Sequence, residues 1–301
     1  MLTLAVLQAP PRAVQVGQVT VVASPARQAL AVSLAERAER PLTWPGLGRL
    51  APPPFVLVLV DDSAALARMS RGQAPGWGAG VAYPGARTIV LRTDLPDLDQ
   101  TLRHELGHLI LRTTVRGRLP LWFDEGYASW GSGETGRLEG LELNLAVASG
   151  RIPTLRELDA MLRGSASTAD LAYALAASAV AEIGRRPPRG GMERLLGRLA
   201  AGEDFGSALE AATGLSEERF DDAWRQSLRR QYSVITWLVA GGMWVIIAFS
   251  LGGLVWYRRE RDRPRRAALD RGWIVAAETA SPAEDGPSSP GPPVDPGAPT
   301  Q

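Results

Sequence analysis

The chain contains only two histidines, and they lie four residues apart in the segment RHELGHLILR, residues 103–112. On an α-helix, side chains at positions i and i+4 lie on one face, so His104 and His108 can direct both imidazoles at a single ion. Glu105 follows the first histidine directly. A carboxylate there can act as general base on a water molecule held by the ion. The segment therefore predicts a helical metal site suited to hydrolysis.

A second segment supplies a third candidate ligand. Catalytic zinc uses three protein ligands and keeps one position open for water. Glu125, in the segment PLWFDEGYASW at residues 120–130, follows His108 by seventeen residues. That separation lets the first helix end near Thr114, a loop turn at residues 117–120, and a second helix carry Glu125 to the ion. The chain has no cysteine, so thiolate ligands are excluded and a zinc site of two histidines and one glutamate is predicted.

The two segments together resemble those of a known group of enzymes. HELGH followed by WFDEGYA is similar to the gluzincin metallopeptidases of the peptidase MA-like superfamily, in particular to bacterial membrane-anchored MA-like domain proteins. In that group the third ligand is a Glu in a W-x-x-E-G-x-A helix. The resemblance is specific over residues 101–130. It implies Zn²⁺ ligands at His104, His108 and Glu125, with Glu105 as the general base.

The resemblance also implies that the substrate is a protein or peptide. In the related aminopeptidases, a glycine-acid segment on the edge strand anchors the free amine of the substrate. The corresponding stretch here, GWGAGVAY at residues 76–83, contains no acid. This departure favours an endopeptidase, or a site that has lost peptidase function. Family members place a Tyr or His downstream to stabilise the oxyanion, and Tyr173 is the candidate here, with a packing role in the helical core as the alternative.

The side chains around Glu125 admit both chemical and packing roles. Asp124 could orient a histidine through its free ring nitrogen, as carboxylates beside zinc sites do, although an exposed position on the helix is the simpler interpretation. Tyr127 is expected to point away from the ion. Three aromatic residues are expected to pack the second helix against the first: Trp122, Phe123 and Trp130.

The elements that must position these residues predict an α+β fold. Strands are predicted at Val19–Ala23 and Phe55–Val60, and a hairpin with a Pro-Gly turn is predicted within residues 76–92. From there onward the pattern turns helical. We therefore expect a zincin-like mixed sheet with the active-site helix over residues 18–115, followed by a helical subdomain over residues 116–231.

Beyond this metallopeptidase domain of residues 18–231, the 24 residues from Val234 to Tyr257 carry no charge. About 20 apolar residues suffice to span a bilayer, so the run predicts one C-terminal transmembrane helix, residues 234–257, in contact with lipid. Arginines are more numerous after the run than before it. The positive-inside rule therefore places the C-terminus in the cytoplasm and the catalytic domain outside the membrane.

The two ends of the chain have their own signals. Residues 1–17 are a candidate export signal, degenerate because it lacks a basic start. Residues 258–301 are predicted to form a cytoplasmic basic segment and a disordered Pro-rich tail. Lysine is absent while Ala, Gly and Pro are frequent, which suggests a GC-rich bacterial source and hence the bacterial cell membrane. The net charge of +1, spread along the chain, gives no nucleic-acid footprint, and the sequence leaves the oligomeric state open.

Three functions compete on this basis. The first is a membrane-anchored zinc metallopeptidase, and the alternative is an inactive zincin-like domain that acts as a membrane-tethered binding module. Glu105 favours the enzyme, because a binding module needs no general base. An intramembrane protease is disfavoured because HELGH lies between Arg103 and Arg112, outside the apolar run.

Overall fold

In the computed structural model the chain forms two units, Met1–Leu238 and Val239–Gln301. The first unit contains the sheet and the helices that carry the candidate site. The described residues are 10–72, 78–133, 143–144, 146–147, 152–187, 190–232 and 242–278. The first nine residues of the predicted export signal and residues 279–301 of the predicted tail lie outside them.

A five-stranded mixed sheet forms the first half of this unit. Its spatial order is β1 (Arg12–Val16), β2 (Val19–Ala23), β5 (Phe55–Val60), β7 (Thr88–Arg92) and β6 (Gly80–Tyr83). The three central strands are parallel, and the two edge strands run antiparallel to their neighbours. The predicted strands β2 and β5 and the predicted β6–β7 hairpin are all present. β1 falls within the segment assigned to the candidate export signal, so the sheet begins before residue 18.

A second hairpin, which the sequence did not reveal, joins β3 (Leu42–Trp44) to β4 (Gly48–Leu50). Trp44 is its buried anchor, with 1% of its surface exposed. A Cβ atom on Gly131 would lie 2.9 Å from the Trp44 ring, so the hairpin packs closely on the second site helix. Burial of a side chain of this size contributes about 2–3 kcal/mol to stability.

The helices of the first unit cover the sheet or pack on one another. They are α1 (Gln28–Ala38), α2 (Ser63–Met69), α3 (Leu98–Thr114), α4 (Leu121–Ser132), α5 (Leu155–Leu162), α6 (Ala166–Arg185), α7 (Gly191–Ala200), α8 (Phe205–Thr213) and α9 (Glu217–Gln231), and the second unit contains α10 (Met243–Glu278). Helices α1 and α3 share the main core with one face of the sheet, and α2 packs on the other face. The mixed α+β architecture predicted from the sequence is confirmed.

Helix α3 begins and ends where its sequence dictates. The carboxylate of Asp97 accepts a hydrogen bond from the Gln100 N–H, which caps the first turn. Leu102, Leu106 and Leu109 are buried on the side that joins the main core. Their spacing leaves the opposite side of the helix free to carry the two histidines. The helix ends at Val115, whose backbone is extended.

Helix α10 belongs to the second unit. No helix within the described ranges combines the length and the apolar character needed to cross a membrane. Residues 234–241 of the predicted span lie outside the described residues. The described part of the span is helical and exposes large apolar side chains, among them Trp244 at 70%, Phe249 at 79% and Trp256 at 68%.

Candidate metal centre

The three predicted ligands converge at one point of the first unit. The Nε2 atoms of His104 and His108, both on α3, lie 3.2 Å apart. An Oε2 atom of Glu125, on α4, lies 3.5 Å from the first nitrogen and 3.4 Å from the second. All three side chains are largely buried, with 14–19% of their surface exposed. The structure therefore brings together the residues that the sequence predicts as ligands.

The distances between the three candidate ligand atoms fit a first-row metal ion. In a tetrahedral site with metal–ligand distances of about 2.0–2.1 Å, the ligand atoms lie about 3.3–3.4 Å apart. The three observed separations of 3.2, 3.4 and 3.5 Å scatter around that value. Two imidazole nitrogens with one carboxylate oxygen are a donor set suited to zinc rather than to calcium or magnesium. The residues present fit the predicted ion in both spacing and chemistry.

Two close helix crossings fix the position of Glu125. A Cβ on Gly107 would lie 2.9 Å from the Ala128 Cα, so α3 and α4 approach each other closely beside the histidines. A Cβ on Gly126 would collide with the carbonyl of Ala176 on α6. Glycine at both crossings lets α4 lie between its two neighbours, and that placement carries Glu125 to the histidines.

The first turn of α4 is held from the other side of the helical half. The carboxylate of Asp159, on α5, accepts a hydrogen bond of 2.7 Å from the Trp122 N–H. The Trp122 ring packs against Phe205 of α8 and Phe220 of α9. Trp122 was expected to pack α4 against α3, and its aromatic neighbours lie in α4 itself and in the later helices. It therefore joins α4 to the helical half.

Phe123 and Trp130 likewise have neighbours in the later helices. Phe123 is fully buried, and its ring neighbours are Trp122, Tyr127 and Phe205. Trp130 lies against Gly184 of α6, where a Cβ would be 3.0 Å from its ring. These contacts lie within α4 or in later helices.

Asp124 is buried, with 8% of its surface exposed, which corrects the expectation of an exposed helix residue. Its Oδ1 atom lies 3.0 Å from His108 Nδ1. A carboxylate can only accept, so Nδ1 carries a proton and Nε2 is the ring atom that faces Glu125 and His104. Asp124 is therefore placed for the orienting role that the sequence raised as an option.

The carboxylates around His108 favour a positive charge at the centre. Burial opposes that charge, but Glu125 and Asp124 together raise the pKa of His108 well above its usual value. Burial likewise opposes the charged form of Glu125, yet His108 and His104 hold the pKa of that carboxyl well below its usual value. The centre thus stabilises a cation among the three side chains, whether that cation is a proton or a metal ion.

Glu105 lies on the same helix but in a different environment. It is buried, with 6% of its surface exposed, and burial raises its pKa. The two histidines and a hydrogen bond from the backbone of Ala82 oppose that rise. A buried carboxylate with a raised pKa, next to the candidate ligands, is the environment expected of a general base.

The edge strand β6 borders Glu105. The Arg92 N–H donates to the Ala79 carbonyl, at the start of the antiparallel β6–β7 pair. In an antiparallel pair every second residue bonds the neighbouring strand, so alternate residues counted from Ala79 bond β7. The backbone N–H and C=O groups of the alternate residues Gly80 and Ala82 therefore point away from β7. A Cβ on Gly80 would lie 3.0 Å from a Glu105 oxygen. The β6 edge of the described sheet and the candidate base thus lie side by side.

Two tyrosines near the centre differ in placement. The ring of Tyr173, on α6, packs edge-on against the His104 ring, with centroids 5.9 Å apart. The structure therefore places this predicted residue beside the centre. Tyr127 is fully buried, and its hydroxyl donates to the Pro45 carbonyl at 2.9 Å. It points away from the ligands, as expected.

One residue of the centre was missed by sequence reasoning. Arg112 donates from Nε and Nη2 to Oδ2 of Asp124, at 2.9 and 2.5 Å. The signal was its spacing, because Arg112 follows His108 by four residues and so lies on the same side of α3 as the histidines. The basic side chain was interpreted only as evidence against a membrane location.

The candidate metal centre lies in a part of the chain that matches a known protein family. The sequence model of the Peptidase MA superfamily matches residues 54–230, which is more than half of the chain and includes every residue of the centre. No curated protein sequence matches the chain. The match confirms the resemblance seen in HELGH and WFDEGYA. It leaves outside the strands β1 and β2, helix α1, the β3–β4 hairpin and helix α10.

Proposed function

Because the chain belongs to the Peptidase MA superfamily, we propose that it is a zinc-dependent metallopeptidase. The observation that carries the proposal is the convergence of His104, His108 and Glu125 within 3.2–3.5 Å, next to the buried carboxylate of Glu105. Three ligands and a base in this arrangement supply the parts that hydrolysis by activated water requires.

The proposed catalytic roles belong to a bound zinc ion and to Glu105. When bound, a zinc ion supplies Lewis acidity, which lowers the pKa of water to about 7 and polarises the scissile carbonyl. Glu105 takes the proton from the attacking water and passes it to the leaving amine. Burial raises the pKa of Glu105, which makes this carboxylate a better proton acceptor.

The edge strand supports an extended peptide as the substrate. The outward backbone groups of Gly80 and the outward carbonyl of Ala82 can pair with a substrate strand, while the Ala82 N–H bonds Glu105. This pairing would place the scissile bond beside Glu105. Main-chain pairing does not require a free amine. Residues 76–83 carry no acid to bind one, so this arrangement favours cleavage within a chain.

Tyr173 is proposed as the donor to the oxyanion that develops on the carbonyl. Its ring contacts His104, so its side chain lies beside the centre. A hydroxyl at that position can donate to the negative oxygen while Glu105 transfers the proton.

We also propose that residues 234–257 anchor the enzyme in the bacterial cell membrane, with the catalytic domain outside and the C-terminus in the cytoplasm. The support is the uncharged run of 24 residues and the exposed apolar side chains along the described part of α10. Reporters that are active on only one side of the membrane, fused at either end, test this orientation. Cytoplasmic activity at the N-terminal fusion would reverse it.

The enzymatic proposal is tested with the full chain purified in detergent and loaded with zinc. We expect cleavage of casein or of members of a peptide library, and loss of that cleavage in Glu105→Gln, which keeps the size of the side chain and removes the base. Zinc should bind to both proteins equally. Stoichiometric zinc without cleavage of any substrate would contradict the enzyme and favour the membrane-tethered binding module.

A further inference from the structure

Arg112 connects three parts of the candidate centre. Its Nε and Nη2 atoms donate to Oδ2 of Asp124, while Nη1 donates to the Gly117 carbonyl at 3.4 Å, in the loop between α3 and α4. The other oxygen of the same carboxylate accepts from His108 Nδ1. A continuous chain of hydrogen bonds thus runs from the guanidinium to an imidazole that faces the metal position.

Building on the proposed function, we infer that Arg112 is a positioning residue of the zinc site, which acts on His108 through Asp124. By occupying Oδ2, the guanidinium leaves only Oδ1 for the imidazole. The carboxylate then has one orientation, and His108 has one tautomer and one ring angle. A planar guanidinium suits this task because two of its N–H groups reach the same carboxylate in a fixed geometry.

The charges of the centre support the same assignment. Three carboxylates lie within it, those of Glu105, Asp124 and Glu125, and all are largely buried. A divalent ion offsets two of their negative charges when the histidines bind as neutral ligands. Arg112, with 30% of its side chain exposed, supplies the remaining positive charge at Asp124. A buried carboxylate that lost this partner would be left with one neutral imidazole, which is a costly environment for a charge.

The position of Arg112 distinguishes it from the other arginines nearby. It stands at the last turn of α3, where its side chain reaches across to α4. Arg118 lies in the loop between the same helices and is exposed. It carries the same charge six residues further along the chain, so Arg118→Met is a matched control for the loss of one positive charge.

The experiment measures zinc affinity in the full chain by competition with a chromogenic chelator. We expect Arg112→Met to weaken zinc binding by roughly ten- to a hundredfold, as the loss of an outer partner does in other sites. Arg112→Lys should lose less, because it keeps the charge but not the paired geometry. Arg118→Met should bind zinc like the parent protein.

A double substitution tests the route through Asp124. If Arg112 acts by orienting that carboxylate, then Arg112→Met combined with Asp124→Ala should bind zinc no more weakly than Asp124→Ala alone. Additive losses in zinc affinity would show that Arg112 acts by another path and would overturn the inference. The visible spectrum of the cobalt-loaded proteins, which reports ligand geometry, should change in Arg112→Met and not in Arg118→Met.

A purely structural role gives a different result. Arg112→Met would then lower the melting temperature of the metal-free protein while its zinc affinity and cobalt spectrum match those of the parent. That outcome would overturn the inference and leave the proposed function intact. If Arg112→Met does not fold, Arg112→Lys decides on the same readouts. A parent protein that binds no zinc would instead remove the proposed function and the inference together.

Discussion

The two sides of the metal centre bury similar carboxylates in opposite environments. On the α4 side, Glu125 faces the imidazoles of His104 and His108, and its pKa is held well below the usual value. On the edge-strand side, Glu105 lies beside Ala82 of β6, and burial raises its pKa. The surroundings of Glu125 thus favour its anionic form, and those of Glu105 favour its protonated form.

This difference shows that the environment, and not the residue type, sets the direction of each pKa shift. Both residues are glutamates near the same two histidines, but only Glu125 points an oxygen at both ring nitrogens. Environments that push the pKa values of two groups apart separate an acid–base catalyst from a permanent charge. Four substitutions, in decreasing order of expected effect, test this difference and the packing around it.

The largest effect is expected from Glu105→Gln. Removal of the general base should lower kcat/KM for a cleaved peptide by a factor of about 10²–10⁴. Because Glu105 is not a ligand, zinc affinity should remain that of the parent protein. Steady-state kinetics and chelator competition on the same preparation measure both quantities. A large loss of zinc affinity would show that the two glutamates do not divide their roles.

Tyr173→Phe should lower kcat by a factor of about 10²–10³ while KM changes little. The substitution removes the hydroxyl and retains the ring that packs on His104. Initial rates over a range of substrate concentrations separate the two constants. An unchanged kcat would assign Tyr173 to packing and leave the oxyanion donor to another residue.

Gly126→Ala should destabilise the domain by about 1–3 kcal/mol, because its Cβ would collide with the Ala176 carbonyl at the crossing of α4 and α6. Glu125 is the adjacent residue, so zinc affinity should fall as well. The matched control is Gly197→Ala on α7, where a Cβ meets nothing within 4 Å. Denaturant unfolding should show that the control is as stable as the parent or slightly more stable.

The smallest effect is expected from Tyr127→Phe. Loss of the hydrogen bond to the Pro45 carbonyl should cost about 0.5–1.5 kcal/mol of stability. Tyr127 lies two residues from Glu125 but points away from it, so kcat and zinc affinity should not change. Thermal unfolding and kinetics together check this. A loss of activity comparable to that of Tyr173→Phe would mean that the roles of the two tyrosines have been assigned wrongly.

The sequence predicted those features that depend on local spacing. The i, i+4 histidines needed only a helix to share a face, and β2 and β5 are short apolar runs whose predicted bounds match the structure. The position of Glu125 followed from a loop of ordinary length between two helices. In each case the determining residues lie close together in the chain, so local rules suffice.

Features that depend on contacts between distant segments were missed. Helix α4 is buried on most of its surface because it lies between α3 and α6, so no polar face distinguishes Asp124 as exposed or buried. The β3–β4 hairpin was missed because its strands are three residues each and its anchor, Trp44, packs on helices far along the chain. The contact between Glu105 and Ala82 likewise joins elements whose approach only the fold determines.

The most direct test of the central claim is X-ray absorption at the zinc edge of the zinc-loaded full chain. We predict one zinc per chain, with two imidazole nitrogens and carboxylate or water oxygens at about 2.0–2.1 Å. In the His108→Ala protein the spectrum should retain no more than one imidazole. A chain that binds no zinc, or a zinc spectrum without two imidazoles that is unaffected by His108→Ala, would contradict the account.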